Sequence, residues 1–160
     1  MRHLIATAAA ATLTILSTAS AGTIKPRDGW SVIDTPQSFT SLVERLEVAV
    51  KNEKMGLVNS ASASEGAKTL GVTIPGNRVV GVFRNDFAQR MLKASITAGI
   101  EAPIRFYITE NPDGTATLSY RKPTAVLAPY FEEAGAALKS LAIELDGIFA
   151  KIAEGATTKN

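Results

Sequence analysis

Apolar and polar residues alternate most clearly between residues 103 and 123. Apolar side chains at 104, 106 and 108 are separated by more polar ones, which is the period-two pattern of a strand with one buried and one wetter face. Asn-Pro-Asp-Gly at 111–114 predicts a tight turn, in which Gly114 adopts the positive φ of a bulged hairpin loop. The predicted register pairs residues across the hairpin as follows: Ile108 with Leu118, Phe106 with Tyr120, Tyr107 with Ser119 and Arg105 with Arg121.

Two segments instead show the spacing of three and four residues that is typical of amphipathic helices. The first begins after Ser38, a predicted N-cap, and extends over 38–54 before Gly56. Its apolar stripe is Phe39, Leu42, Val43, Leu46 and Val50. The second covers 134–153, with the stripe Leu138, Leu141, Ala142, Leu145, Ile148, Phe149 and Ile152.

Shorter patterns predict the remaining elements. Strands are expected at 30–33, 57–62 and 78–83, with a turn at 34–37 and a turn or short helix at 124–131. Ser64 is the predicted cap of a short helix over 64–70. Asn85 or Asp86 is predicted to cap another, whose Phe87, Met91 and Leu92 point inward.

The first 21 residues have the pattern of a cleavable signal peptide. A short basic start precedes an apolar run at 4–16, and Ala19-Ser20-Ala21 is a small-x-small cleavage site. The alternative is a membrane anchor, but the apolar run is shorter than the roughly 20 residues that a span needs. We therefore expect export to the periplasm or medium, a flexible tether over 22–29, a single domain over 30–153 and a disordered tail over 154–160.

Cleavage would restrict the available chemistry. The only histidine, His3, lies in the leader, and the chain has no cysteine. Such a mature chain has no imidazole or thiol for a His-based triad, a cysteine nucleophile, ordinary zinc or haem ligation, or a disulfide. Loss of Arg2 from the 17 basic residues leaves 16 against 15 acidic ones, a formal charge of +1. This near-neutral charge argues against a nucleic-acid-binding protein, which needs a concentrated basic face.

Together, the ordered elements resemble the domain of unknown function 302 family. The resemblance rests on Lys-Met-Gly at 54–56, Phe-Arg-Asn-Asp at 83–86, the Met-Leu helix at 91–92, Ala-Pro-Ile-Arg at 102–105 and Ser-Tyr-Arg-Lys-Pro at 119–123. It extends over about residues 30–149. It implies a two-layer α+β domain like the TATA-box-binding protein, with an antiparallel sheet of at least four strands and helices packed on one face. It implies no established reaction, cofactor or substrate.

The candidate site lies on the wetter face of the hairpin. Arg105 and Arg121, placed opposite each other, would repel, so a negative charge is expected between them. That charge belongs either to Glu101, Glu110 or another carboxylate, or to a bound anion. Tyr107 lies on the same face. Asn85 is a second candidate, because a strand end before a helix can receive an anion at its backbone N–H groups, although a cap role already explains this residue and is preferred.

Three classes of function remain open. A binding module for a small anionic or amphipathic molecule ranks first, and a structural or interaction protein acting as a homodimer ranks second. An enzyme restricted to Asp, Glu, Lys, Tyr or Ser ranks third, because no pair of these residues has a telling spacing. The sequence predicts no cofactor, no metal, no nucleic-acid partner and no stable membrane insertion after cleavage.

Overall fold

Five strands form one antiparallel sheet in the computed structural model, which describes residues 24–158. The strands are β1 (Trp30–Ser38), β2 (Gly56–Ala61), β3 (Asn77–Phe83), β4 (Ile104–Glu110) and β5 (Thr115–Arg121), and their order across the sheet is β1-β5-β4-β3-β2. The predicted signal peptide, its cleavage site and residues 22–23 of the tether lie outside the described residues, as do residues 159–160.

Helices cover one face of this sheet. They are α1 (Phe39–Asn52), α2 (Ala63–Thr69), α3 (Asn85–Ala94), α4 (Pro123–Leu127) and α5 (Phe131–Thr157), with 3-10 segments at Thr97–Glu101 and Ala128–Tyr130. Helical geometry is interrupted within α5 at Gly135, where φ is 64°. The expected α+β architecture is confirmed. Among the described residues, no helix is both long enough and apolar enough to cross a membrane.

The core lies between the hairpin and α5, and three aromatic rings occupy its centre. Phe106 and Phe149 stack with ring centroids 4.7 Å apart, and Tyr120 lies 5.0 Å from Phe106 and 5.6 Å from Phe149. Phe106 and Tyr120 meet because they are directly opposite on β4 and β5. All three side chains are buried, so the apolar face of the predicted hairpin is the face that the helices cover.

The predicted hairpin register is confirmed for three pairs. Ile108 faces Leu118, Phe106 faces Tyr120 and Tyr107 faces Ser119. The turn closes with a bond from the Gly114 N–H to the Asn111 carbonyl at 2.9 Å, and φ of Gly114 is 81°. Glycine is needed there because other residues adopt that conformation with strain.

The turn predicted at 34–37 is wrong, because β1 continues to Ser38. A register shift between Thr35 and Ser38 accommodates Pro36 within the edge strand. The Thr35 hydroxyl donates to the Ala116 carbonyl at 2.7 Å across the strand pair. Pairing with β5 therefore overrides the local turn signal, and this pairing is not visible in the sequence of the segment itself.

The helix caps agree with the sequence in one case and differ in two. Ser38 accepts a bond from the Ser41 N–H and caps α1, as predicted. Ser62 caps α2 in place of the predicted Ser64, which is buried. Neither Asn85 nor Asp86 caps α3. Its N-cap position is Arg84, which provides no side-chain cap.

Two further expectations differ from the structure. Leu92 was expected to point inward but is 46% exposed at the end of α3. The disordered tail expected from residue 154 is wrong for residues 154–157, which continue α5. This last turn is held by distant side chains, because Gln37 Nε2 and Arg45 Nε donate to the Ala156 carbonyl at 2.9 and 3.0 Å. Such contacts satisfy the carbonyls that a helix end leaves free.

Candidate functional site

The sheet face away from the helices contains polar side chains that are nevertheless buried. Thr117 and Ser119 are fully buried there, although no helix covers them. The Thr117 hydroxyl lies 2.7 Å from Asp34 Oδ1 and 2.9 Å from Asn111 Oδ1. The bonds of Thr117 join β1, β5 and the turn after β4, and they satisfy this buried hydroxyl. The buried part of this face is therefore polar.

A groove of about 520 Å³ begins on this face and extends round the end of the sheet. We call it the arginine groove. It is lined by Trp30, Ala61, Ala63, Asn77, Val79, Glu101, Ile104, Arg105, Tyr107, Tyr120, Arg121 and Val126. Its volume is in the range of sites that hold small molecules. Most of its wall is apolar, and its formal charges are two guanidinium groups and one carboxylate.

The hairpin places both arginines in this groove. The paired ladder of β4 and β5 runs to Phe106 and Tyr120, and Arg105 and Arg121 are the next residue on each strand. Both arginines are exposed, and both line the groove. On their outer sides, Arg105 pairs with Gly81 of β3 and Arg121 pairs with Trp30 of β1. The structure thus brings the two predicted cations to one site.

No carboxylate neutralises this pair within residues 24–158. The ion pairs of this part of the chain join Arg78 to Glu65, Arg84 to Asp86, and Arg90 to Glu144. Arg121 Nη2 makes only a long bond, 3.3 Å, to the Ala125 carbonyl.

The two carboxylates considered from the sequence have other partners. Glu110 accepts a bond of 2.6 Å from the Gly76 N–H, outside the groove lining. Glu101 does line the groove, but its Oε1 accepts from the Tyr130 hydroxyl at 2.9 Å. That bond raises the pKa of Tyr130, because deprotonation would place two negative charges together. Glu101 is therefore held by Tyr130 rather than by an arginine.

Aromatic and aliphatic side chains form the walls. The Arg27 guanidinium lies 5.1 Å from the centre of the Trp30 ring, a cation–π contact that adds a third positive charge next to the groove. Tyr107 is half-buried between Val79 on β3 and Ser119 on β5. The groove therefore combines flat apolar surfaces with positive charge at one end.

Of the four residues predicted from the sequence, Arg105, Arg121 and Tyr107 come together in the groove. Asn85 does not line it, and lies exposed at the start of α3. The sequence did not point to Trp30 or Val79, and it suggested Glu101 only as a carboxylate partner of the arginines. Trp30 approaches Arg121 through the pairing of β1 with β5, two strands that are far apart in the chain. No local motif could have revealed that neighbour.

The comparisons with known proteins agree with this architecture. A family model described as "Domain of unknown function DUF302" matches residues 32–154. The crystal structure of an uncharacterized conserved protein DUF302 from Bacillus stearothermophilus is similar, with a TM-score of 0.71 and 21% identity, over 81% of this chain and 99% of that chain. No curated protein matches this chain.

Proposed function

This chain belongs to the DUF302 family, and we propose that it is an exported, non-catalytic binding module for a small anionic or amphipathic molecule held in the arginine groove. One observation carries the proposal. Two neighbouring guanidinium groups line one groove, and no carboxylate of the described residues pairs with either. Like charges on adjacent strands are unfavourable, so an anion that bridges them is stabilising.

The walls indicate how such a ligand would lie. Its anionic head would accept hydrogen bonds from Arg105 and Arg121, because guanidinium groups match carboxylate and phosphate oxygens. Its body would lie against Trp30, Val79 and Tyr107, where burial of apolar area contributes to affinity. Glu101 also lines the groove, so a second negative charge on the ligand would be unfavourable there. A monoanion with an apolar or aromatic body fits this arrangement best.

Anion-dependent thermal stability tests the site. Added phosphate or sulfate should raise the melting temperature of the wild-type protein, because a ligand that binds only the folded state stabilises it. Arg105→Gln and Arg121→Gln should each lose most of that rise while remaining folded. Lys122→Gln is the matched control, since Lys122 is exposed beside Arg121 but does not line the groove. An equal response in all four proteins would refute the site, because general salt screening would account for it.

Native mass spectrometry addresses the ligand directly. Protein purified gently from its own host should retain a small molecule, and Arg105→Gln should release it. Detection of the ligand by its mass difference would also identify the apolar body. A preparation free of adducts, combined with no anion response, would remove binding as the leading function.

Export rests on the leader pattern alone. Intact mass of the mature protein from its host should begin at Gly22, after Ala21. Full-length protein in the soluble cytoplasmic fraction would contradict export. It would leave the groove proposal unaffected, because the groove lies wholly within residues 30–126.

A homodimer is the second candidate function, and one surface favours it. Ile96 and Ile100 are 83% and 79% exposed at the 3-10 segment that follows α3, close in sequence to the exposed Leu92. Apolar side chains grouped in this way are typical of contact surfaces. Sedimentation should then show a dimer at micromolar concentration, and Ile100→Asp should shift it to monomer. A monomer in both proteins would exclude this surface as a dimer contact.

A further inference from the structure

The arginine groove continues away from the arginines over a row of apolar side chains. Tyr107 of β4 lies directly opposite Val79 of β3, and Val79 lies directly opposite Ala61 of β2. Directly opposite residues place their side chains on the same face of a sheet, and all three line the groove. We call them the apolar row. Tyr107 follows Arg105 by two residues on β4, so the row begins beside the arginine pair on the same face.

The charged lining residues belong to one end of the hairpin. Arg105 is near the start of β4, Arg121 is the last residue of β5, and Glu101 lies in the 3-10 segment that precedes β4. The apolar row leads away from this end, across the sheet to the edge strand β2. A ligand that follows the row therefore passes from charged to uncharged surroundings.

The far end of the groove lies where β2 leads into α2. Ala63, the first residue of α2, lines it together with Asn77. The Asn77 side chain is already bonded at both ends, since its Oδ1 accepts from the Ala63 N–H at 2.9 Å and its Nδ2 donates to the Pro75 carbonyl at 3.1 Å. Polar groups of a ligand would find few partners there, so this end suits an apolar chain.

The length of the row sets the length of chain that it can hold. Neighbouring strands are about 4.8 Å apart, so the row covers about 10 Å from β4 to β2. The two residues from Arg105 to Tyr107 add about 6–7 Å along β4, which gives a diagonal of about 12 Å from the arginine pair to Ala61. An extended chain advances about 1.2 Å per single bond, so about ten bonds cover this distance.

The charged end suits a head group with one negative charge. A carboxylate carries a single charge and matches the fork of a guanidinium group. A phosphate monoester carries about −1.5 to −2 at neutral pH, and the Glu101 carboxylate in the same lining disfavours the second charge. A carboxylate is therefore the better match for Arg105 and Arg121.

We propose that the ligand of the arginine groove is an unbranched carboxylate of about eight to ten carbons. Its carboxylate binds Arg105 and Arg121, and its chain lies along the apolar row as far as Ala61. This inference rests on the proposed function and adds the chemical class of the ligand. The charge of the head and the length of the chain are tested separately.

Trp30 provides the readout, because it is the only tryptophan of the chain and lines the groove. Its fluorescence would be followed during titration with butyrate, hexanoate, octanoate, decanoate and dodecanoate, each below its micellar concentration. Affinity should rise by about two- to fourfold for each added CH₂ up to decanoate, because apolar area is removed from water, and should rise no further at dodecanoate. Equal affinity for butyrate and decanoate would overturn the proposal.

Two variants at neighbouring positions of β2 test the apolar row. Ala61→Asp places a charge on the row, whereas Ser60→Asp is the matched control, because Ser60 faces the other side of the sheet and does not line the groove. Both positions are exposed, so both variants should fold. Ala61→Asp should weaken decanoate binding by about tenfold or more and leave butyrate binding unchanged. Ser60→Asp should change neither, and equal decanoate affinity in Ala61→Asp and wild type would refute the pose.

Arg105→Gln distinguishes this inference from the proposed function. It should weaken butyrate and decanoate binding alike by about tenfold or more, because both ligands use the arginine pair. A sulfate response that requires Arg105, with carboxylate affinity independent of chain length, would refute the chain and leave the anion site standing. Equal decanoate affinity in Arg105→Gln and wild type, with no sulfate response, would refute both. Tighter binding of decyl phosphate than of decanoate would overturn the carboxylate as the head group.

Discussion

The two faces of the β4–β5 hairpin are both buried in part, but one buries apolar side chains and the other buries polar ones. On the covered face, Phe106 and Tyr120 are buried by Phe149 of α5, a contact between elements far apart in the chain. On the open face, Thr117 and Ser119 are just as buried, although they alternate along β5 with the residues that face the helices. The first face gains stability from apolar area removed from water, and the second from polar groups that satisfy one another.

This difference explains where a ligand can bind. The covered face is filled by ring stacking at its centre, whereas the open face keeps a groove along its end. Arg105 and Arg121 are exposed at this groove, where an anion in solution can reach them. The predictions below test the contrast between the two faces.

The largest effect is expected on the covered face. Phe149→Ala should lower the free energy of unfolding by about 3–5 kcal/mol, because it removes a buried ring and leaves a cavity beside Phe106 and Tyr120. Chemical denaturation would measure it. Ile143→Ala, at a position 58% exposed on the same helix, should change the value by less than about 0.5 kcal/mol. Similar losses in the two variants would mean that the stack does not organise the core.

A smaller loss is expected on the open face. Thr117→Val keeps the shape but removes the hydroxyl that contacts Asp34 and Asn111, and should cost about 1–3 kcal/mol because those groups lose a buried partner. Thr97→Val, an exposed position, is the matched control. Equal denaturation midpoints for Thr117→Val and wild type would show that water satisfies this chain of bonds equally well.

The stability of the protein at alkaline pH should depend on Tyr120, which packs in the core and also lines the arginine groove. Burial raises the pKa of Tyr120, with a smaller contribution from the Asp146 charge, while a bond to Ser31 opposes the shift. The unfolded chain releases this proton near pH 10, before the folded protein does. Its contribution to stability is therefore complete below about pH 10 and is lost as the pH rises through the raised folded-state pKa.

Denaturation midpoints measured between neutral pH and pH 11 would test this. Tyr120→Phe should flatten the alkaline decline by roughly 1 kcal/mol or less, since the bond to Ser31 offsets part of the effect of burial. Tyr130→Phe should flatten the decline as well, because the bond to Glu101 also raises the pKa of Tyr130, so comparing the two variants separates the effect of burial from that of a neighbouring carboxylate. A decline of equal slope in Tyr120→Phe and wild type would mean that Tyr120 is not responsible.

The smallest effect on stability is expected at the arginines. In buffer without multivalent anions, Arg105→Gln and Arg121→Gln should each change the free energy of unfolding by less than about 0.5 kcal/mol, in the stabilising direction, because one of two like charges is removed. Thermal denaturation in low-salt buffer would measure this. A loss above about 1 kcal/mol would indicate a stabilising internal partner and would weaken the case for a ligand.

Local patterns predicted much of this fold. The hairpin and its register followed from the alternation and the Asn-Pro-Asp-Gly turn, because both act between close neighbours in the chain. The α1 stripe of Leu42, Leu46 and Val50 is buried as predicted, since helix periodicity alone determines which residues share a face. The candidate site was predicted in part for the same reason, as Arg105, Tyr107 and Arg121 all belong to the hairpin.

Predictions failed where a distant partner changed the local preference. The segment 34–37 has turn chemistry, yet pairing with β5 extends β1 through it. The tail beyond residue 153 has weak signals, yet Gln37 and Arg45 hold its carbonyls. Asp86 appeared suited to cap α3, but the Arg84 guanidinium binds its carboxylate and lowers its pKa.

The sequence by itself determined the helices, the hairpin and the two neighbouring cations, because each depends on interactions within a few residues. The composition of the arginine groove was determined only by the tertiary structure. Trp30 reached Arg121 through β1–β5 pairing, Val79 reached Tyr107 through β3–β4 pairing, and Tyr130 took Glu101 as its partner. These neighbours are distant in sequence, and the order β1-β5-β4-β3-β2 that brings them together is selected by burial of the whole apolar face against α1 and α5.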